Sequence, residues 1–212
     1  MNHLLRLSDR SLHAAATFGN ANSIDPSRIS DKTLRTIADL AADVSITLIL
    51  GPSGAGKSRL LRNVASNLVY RGLRTMFITP NATSSRSSST AVDLIPGPVT
   101  RVRELLGSCG LADVRTFTRA SGLLSVGETF RLLIARALAR EPDALLIDEF
   151  GGSLDSETLI SLCHSWKRSN RPTKLIVAGV NPTLRDILKP DVIITCNLGS
   201  DPNIEITKVG ER

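Results

Sequence analysis

A glycine-rich segment that ends in lysine and serine is the part of the sequence best suited to chemistry. Gly51, Gly56, Lys57 and Ser58 have G-x4-G-K-S spacing, directly after a nearly apolar, β-branched stretch at 44–50 and before a helical pattern. Glycines let backbone N–H groups wrap around phosphates, and a helix start adds positive potential. The strand before the motif and the helix after it disfavour a chance match. The segment predicts a phosphate-binding glycine-rich loop formed by Gly51, Pro52, Ser53, Gly54, Ala55, Gly56, Lys57 and Ser58.

Two pairs of polar residues would carry separate roles around a bound triphosphate. Lys57 would reach the β- and γ-phosphates, and the Ser58 hydroxyl would coordinate Mg²⁺. Asp148 and Glu149 directly follow the apolar stretch at 144–147. Asp148 would hold Mg²⁺ through water, and Glu149 would polarise the attacking water. A lone Asp-Glu pair is more often a solvated turn, but the strand before it and the glycine-rich loop favour the catalytic interpretation.

A second helix start in the chain has phosphate-binding character. Ser125 and Glu128 have the spacing of a capping box, at the start of a helix expected from about Val126 to Arg140. Ser125 and Gly127 would there form a second, separate helix N-terminus able to bind phosphate. A simple helix cap is the alternative interpretation of the same residues.

The order of these motifs resembles that of a known family. Leu124-Ser125-Val126-Gly127-Glu128, then Asp148-Glu149, then Ser153-Leu154-Asp155 resemble the signature, Walker B and D-loop series of the ATP-binding cassette ATPases, with similar spacing. The resemblance covers 45–195 well. It implies an α/β P-loop NTPase fold, with a mainly parallel sheet flanked by helices and a compact helical subdomain at about 95–140. A pattern of strands alternating with helices independently predicts a mainly parallel sheet.

The resemblance also implies how the chain would work. ATP and Mg²⁺ would bind the glycine-rich loop of one chain, and Ser125 and Gly127 of a second copy would complete the site in a head-to-tail homodimer. Asp155 would lie at that interface and couple the two sites. ATP would then join the copies, and hydrolysis would release them.

Some expected family residues are missing. The chain contains no glutamine, so the Q-loop glutamine is absent and Asp93 is the nearest polar candidate. Where the family has a switch histidine, the sequence reads Gly179-Val180-Asn181-Pro182, which makes Asn181, or by one residue Val180, the best match. An amide could hydrogen-bond the γ-phosphate but could not share a proton, so slow turnover is expected. Phe18 could stack on adenine as an A-loop aromatic, and a core phenylalanine is the equal alternative.

A narrower resemblance suggests one partner. The residues at 8–12, 18–19, 106–127 and 148–150 look most like soluble cassette ATPases that are encoded with, or fused to, GNAT-type acetyltransferases. The chain is too short to contain that enzyme. An acetyltransferase is therefore expected as a possible partner.

Composition bounds the remaining possibilities. A hydrophobic content of 42% and a charged content of 22%, without a long apolar run, predict one globular domain over 1–212 that is not integral to a membrane. Seven of nine residues at 82–90 are Ser or Thr, which favours a mobile loop. Three widely spaced cysteines favour a reducing cytoplasm over a disulfide framework.

Three functions remain open at this point. We expect an ATPase that acts as a soluble switch or mechanoenzyme, because the net charge of +6 suits nucleic acid or another partner and the Q-loop glutamine is missing. The alternative is the ATP-binding subunit of a membrane ABC transporter. A non-hydrolysing ATP sensor is the third possibility.

Overall fold

One six-stranded sheet organises the chain. The computed structural model describes residues 31–79, 88–169, 171–197 and 204–209. The strands are β1 (Ile46–Leu50), β2 (Thr75–Ile78), β3 (Ala144–Ile147), β4 (Lys174–Gly179), β5 (Val192–Cys196) and β6 (Ile204–Lys208). Their order in the sheet is β2-β3-β4-β1-β5-β6, parallel from β2 to β5, with β6 antiparallel to β5. The expected mainly parallel sheet is thereby confirmed.

Helices flank this sheet. In the described ranges they are α1 (Asp31–Asp43), α2 (Lys57–Tyr70), α3 (Val99–Ser108), α4 (Val114–Thr118), α5 (Val126–Leu138), α6 (Ser156–Arg168) and α7 (Leu184–Leu188), with a 3-10 turn at Ser121–Leu123. None of those described is both long enough and apolar enough to cross a membrane.

Both faces of the sheet are buried, because successive strand side chains point to opposite sides. Leu48 and Leu145 lie in a core shared with α3, α5 and α6. Ile49 and Leu146 lie in a second core with α1 and α2. The continuous burial of β1 and β3 follows from this arrangement and agrees with their sequences, which are apolar except for Thr47 in β1.

The strand order determines where the polar motifs meet. β1 and β3 both pair in parallel with β4, one on each side. The chain that leaves β1 is the glycine-rich loop, and the chain that leaves β3 begins with Asp148. Because the carboxyl ends of parallel strands share one edge of the sheet, the two motifs face a common crevice.

Several elements differ from the sequence-based expectation. The sequence predicts short mixed elements over 1–44, but Asp31–Asp43 is a continuous helix; the remainder of that segment lies mostly outside the described residues. The sequence also predicts a helical region from Leu111 to Ala120, but the helix there is confined to Val114–Thr118, and α5 ends at Leu138 rather than Arg140. The sequence pattern predicts neither β6 nor α7. The Ser/Thr-rich loop at 82–90 falls mostly outside the described residues.

The helices of the subdomain expected at about 95–140 share their core with the sheet. Val102 of α3 and Ile134 of α5 are both buried in the cluster that covers one face of the sheet, and that cluster includes Leu145 of β3. A separate helical subdomain therefore stays a prediction.

Candidate functional site

The glycine-rich loop lies tightly against the end of β5. A Cβ atom on Gly51 would come within 2.3 Å of the Cys196 carbonyl oxygen, so only glycine fits there. Gly56, with φ of 81°, occupies the N-cap of α2 in the left-handed region that favours glycine. No side chain caps α2, and its first turn contains no acidic residue. This leaves the positive end of the helix suited to an anion.

The side chain of Lys57 is held inside the loop. Its Nζ atom donates to the Pro52 carbonyl oxygen at 2.7 Å, and the residue is only 8% exposed. Burial lowers the pKa of the Lys57 ammonium, and the negative charges of Asp148 and Glu149 are among the effects that oppose this shift. A triphosphate would offer this poorly hydrated ammonium much stronger acceptors than one carbonyl oxygen.

Ser58 and Asp148, which the sequence analysis assigns separately to Mg²⁺, meet across the crevice. The Ser58 hydroxyl donates to Asp148 Oδ1 at 3.0 Å, and the backbone N–H of Glu149 donates to the same oxygen at 3.1 Å. Asp148 is 5% exposed. One hydroxyl and one buried carboxylate are the hard oxygen donors that Mg²⁺ prefers, with phosphates and water completing its shell. The residues therefore fit a magnesium ion.

Glu149 points away from the core, unlike its neighbour. Its side chain is exposed, and its backbone has φ of 52°, an uncommon conformation for a residue other than glycine. The backbone N–H of the next residue, Phe150, donates to the Ala178 carbonyl oxygen of β4 at 2.8 Å. Glu149 thus lies between two anchored residues and is accessible to water.

The start of α5 has the predicted capping box. The Ser125 hydroxyl accepts from the Glu128 backbone N–H at 3.1 Å, and the Glu128 carboxylate accepts from the Ser125 backbone N–H at 2.7 Å. This second bond lowers the pKa of Glu128. Arg119 lies nearby, with its Nη1 atom 4.0 Å from Glu128 Oε2. Helix capping is therefore present, and a role of Ser125 in phosphate binding stays a prediction.

The segment after Glu149 packs against the start of α5. A Cβ atom on Gly127 would lie 3.1 Å from the Ser153 carbonyl oxygen and 3.3 Å from Leu154 Cδ2. Asp155 caps α6, accepting from the Thr158 backbone N–H at 2.8 Å, and this bond lowers the pKa of Asp155. The predicted signature and D-loop residues are therefore neighbours within one chain.

The remaining candidates have local partners or lie outside the described residues. Asn181 is exposed, and its Oδ1 atom accepts from the Thr183 backbone N–H at 3.0 Å, so its amide nitrogen is the group left to face a ligand. Asp93 accepts from the Thr90 hydroxyl at 2.7 Å. Phe18 falls among the residues that are not described.

Two features near the site were missed by the sequence analysis. Phe150 is buried beside Glu149 and packs against Phe130 of α5. Thr90 forms an antiparallel bridge with Ala120, which joins the segment around Asp93 to the residues before the signature. The burial of Phe150 had a signal in the sequence, since an apolar residue follows the acidic pair. The bridge of Thr90 had no such signal, because it depends on a contact between distant parts of the chain.

The fold and this site define a P-loop NTPase. The glycine-rich loop follows β1 and the acidic pair follows β3, and these two strands flank β4 in the same parallel sheet. The family model described as "AAA domain" matches residues 41–188. The chain belongs to that family. Its fold is that of the ATP-binding cassettes: the dimeric post-hydrolysis structure of the cassette MJ0796 aligns with a TM-score of 0.61 at 21% identity, covering 79% of this chain and 87% of that one.

The chain is also similar to curated proteins named as import ATP-binding proteins. The zinc import ATP-binding protein ZnuC of Alcanivorax borkumensis is 35% identical over 125 residues, 52% of this chain and 48% of its own length. The methionine import ATP-binding protein MetN 1 of Rhodopseudomonas palustris is 34% identical over 187 residues, 72% of this chain and 50% of its own length. The chain spans about half the length of these relatives.

Proposed function

We propose that this chain binds Mg-ATP at the glycine-rich loop and hydrolyses it. The observation that carries the proposal is the meeting of Ser58 with Asp148 at 3.0 Å, beside the buried ammonium of Lys57 and the exposed carboxylate of Glu149. Phosphoryl transfer to water uses a cation for the phosphates, a hydroxyl and a buried acid for Mg²⁺, and a further polar group for the attacking water. These four residues supply one group for each task.

Each residue has a distinct part in the proposed reaction. Lys57 exchanges its bond to Pro52 for bonds to the β- and γ-phosphates. Ser58 and Asp148 hold Mg²⁺, which neutralises phosphate charge when it is bound. Glu149 accepts a hydrogen bond from the attacking water and orients it toward the γ-phosphate. The Asn181 amide donates to the γ-phosphate but cannot relay a proton, so we expect slow turnover.

We further propose that the active form is a head-to-tail homodimer. Ser125 and Gly127 of one copy would complete the site around the nucleotide bound by the other. Two solved structures of the neighbour MJ0796, which shares the fold, are described as dimeric, which supports this assembly. Gly127 lies tightly against the segment before Asp155. This proximity supports a dimer interface in which Gly127 and Asp155 both take part.

Replacing Glu149 tests the hydrolytic role. Glu149→Gln keeps the size of the side chain but removes its basicity, so we expect ATP binding within about twofold of wild type and turnover reduced by about 100-fold or more. ATP should then trap a dimer, which size-exclusion chromatography detects. Glu157→Gln, at an exposed glutamate in the first turn of α6, is the matched control. A Glu149→Gln protein with unchanged turnover would refute the assigned role.

The relatives favour a transporter subunit as the cellular role of this ATPase, over the soluble switch expected from the sequence. Both relatives described above are named as import ATP-binding proteins. We therefore propose that the chain powers a membrane-embedded partner. Detergent-solubilised membranes should then yield the chain together with a polytopic protein.

The soluble switch remains a second candidate, because the chain contains no glutamine for a Q-loop and has a net charge of +6. Recovery of the chain away from membranes, with an affinity for DNA or RNA that falls steeply with salt, would favour the switch instead. The acetyltransferase partner also stays a prediction from the sequence, since neither relative described above is named as an acetyltransferase.

A further inference from the structure

Phe150 connects the proposed catalytic glutamate to the signature helix. It directly follows Glu149 and is only 5% exposed. Its ring centroid lies 6.3 Å from that of Phe130, with the ring planes inclined by 56°. Aromatic rings attract each other in this tilted arrangement and at this distance. Phe130 belongs to α5, the helix that begins just after Ser125, so the residue beside Glu149 contacts the helix proposed to serve the other nucleotide.

The backbone of Phe150 forms a second anchor. Its N–H donates to the Ala178 carbonyl oxygen at 2.8 Å, at the end of β4. Glu149, immediately before it, has φ of 52°. A residue other than glycine keeps such a conformation only where its surroundings enforce it. The ring contact and the backbone bond of Phe150 hold the residue that follows Glu149.

Another contact joins the same two segments. Gly127 approaches the Ser153 carbonyl oxygen so closely that a Cβ atom would lie 3.1 Å away. Gly127 and Phe130 are three residues apart and so share one face of α5. This face therefore meets the segment at 149–154 at two separate points.

We propose that Phe150 is a positioning residue that fixes the orientation of Glu149 and links it to the position of α5. This inference rests on the proposed function, because in the head-to-tail dimer Glu149 acts on one nucleotide while Ser125, at the start of α5, contacts the other. A shift of α5 as it closes on the second nucleotide would reach Glu149 through Phe130 and Phe150. Phe130 and Phe150 would thereby connect the two sites of the dimer.

Phosphate release by full-length variants tests this link. Phe150→Leu and Phe130→Leu each remove one ring, and Phe117→Leu is the matched control, a buried phenylalanine in the same core. We expect both test variants to lower kcat by about 10- to 100-fold with little change in KM, since a misplaced catalytic group affects the chemical step. The Hill coefficient should fall toward one, and the double variant should be no slower than the slower single variant. The control should retain the wild-type kcat, KM and Hill coefficient.

Amide hydrogen exchange of Phe150, measured by NMR on the nucleotide-free protein, tests the link without activity. Exchange should be faster in Phe130→Leu than in wild type and unchanged in Phe117→Leu. If wild type releases no phosphate, the proposed function fails, and this exchange result still decides whether Phe130 anchors Phe150. If Phe150→Leu does not fold, Phe150→Met, which is closer in volume, replaces it. Unchanged exchange in Phe130→Leu, wild-type kcat in the variants at Phe150, or an equal kcat loss in the control would each overturn the proposal.

Discussion

The two helix N-termini proposed to hold phosphate are built in opposite ways. α2 begins after Gly56 without a side-chain cap and with Lys57 in its first turn. α5 begins with a complete capping box, in which Ser125 and Glu128 bind each other's backbone N–H groups. The first end therefore attracts an anion directly, whereas the second already has internal partners and a carboxylate. This difference supports the proposal that α2 binds nucleotide alone and that α5 contributes only after a second copy approaches.

Removal of the lysine at the uncapped start of α2 should have the largest effect, which is on ATP affinity. Lys57→Ala deletes charge-assisted bonds to two phosphates, so we expect the affinity of the single chain for ATP to fall by at least about 100-fold. Isothermal titration with a non-hydrolysable ATP analogue measures this. Lys208→Ala, at an exposed lysine on β6, is the control and should bind as wild type does. Retained affinity in Lys57→Ala would show that the α2 end is not the primary site.

A negative charge at the capped start of α5 should lower the turnover of ATP without weakening ATP binding to the single chain. Ser125→Glu places a carboxylate where the partner's γ-phosphate is proposed to lie, so turnover should fall by about tenfold or more through like-charge repulsion. Binding of ATP to the single chain should not change. Ser125→Asn keeps a good helix cap without the charge and should lose less turnover. Equal turnover in the Glu and Asn variants would contradict the proposed contact with phosphate.

Neutralising Glu128 should have the smallest effect and make the two ends more alike. In Glu128→Gln the box can persist, while repulsion of the partner's phosphates is removed, so the ATP concentration for half-maximal turnover should fall about two- to fivefold. Steady-state kinetics measure the change. Glu104→Gln, at an exposed glutamate on α3, should have none.

The same variant has a pH signature. The pKa of Glu128 is lowered in the folded protein, because the Ser125 backbone N–H donates to the carboxylate. Its ionised form therefore stabilises the fold above the ordinary carboxyl pKa, and this contribution is lost as the pH falls through the lowered value. As the pH falls from the ordinary carboxyl pKa through the lowered pKa of Glu128, the Tm of wild type should therefore decrease more than the Tm of Glu128→Gln. Parallel Tm curves would contradict the capping interaction.

The parts predicted well from sequence have strong local signals. β3 is an uninterrupted apolar run and β1 is apolar except for Thr47, while α2 follows a glycine-rich loop and α5 starts at a capping box. α1 also had a signal that was overlooked, since Leu34, Ile37 and Ala41 recur at helical spacing. β6 had little signal, because it is a partly exposed edge strand whose pairing depends on β5.

The sequence by itself determined the phosphate-binding motifs, the order of most strands and helices along the chain and the presence of an acidic pair after a buried strand. These depend on residue type, spacing and local backbone preference. Only the tertiary structure decided that Ser58 meets Asp148, that Glu149 is held in a left-handed conformation and that Phe150 contacts Phe130. Those features arise because the sheet places β3 and β1 on either side of β4 and packs α5 over one face, and contacts between distant segments leave no pattern in local sequence.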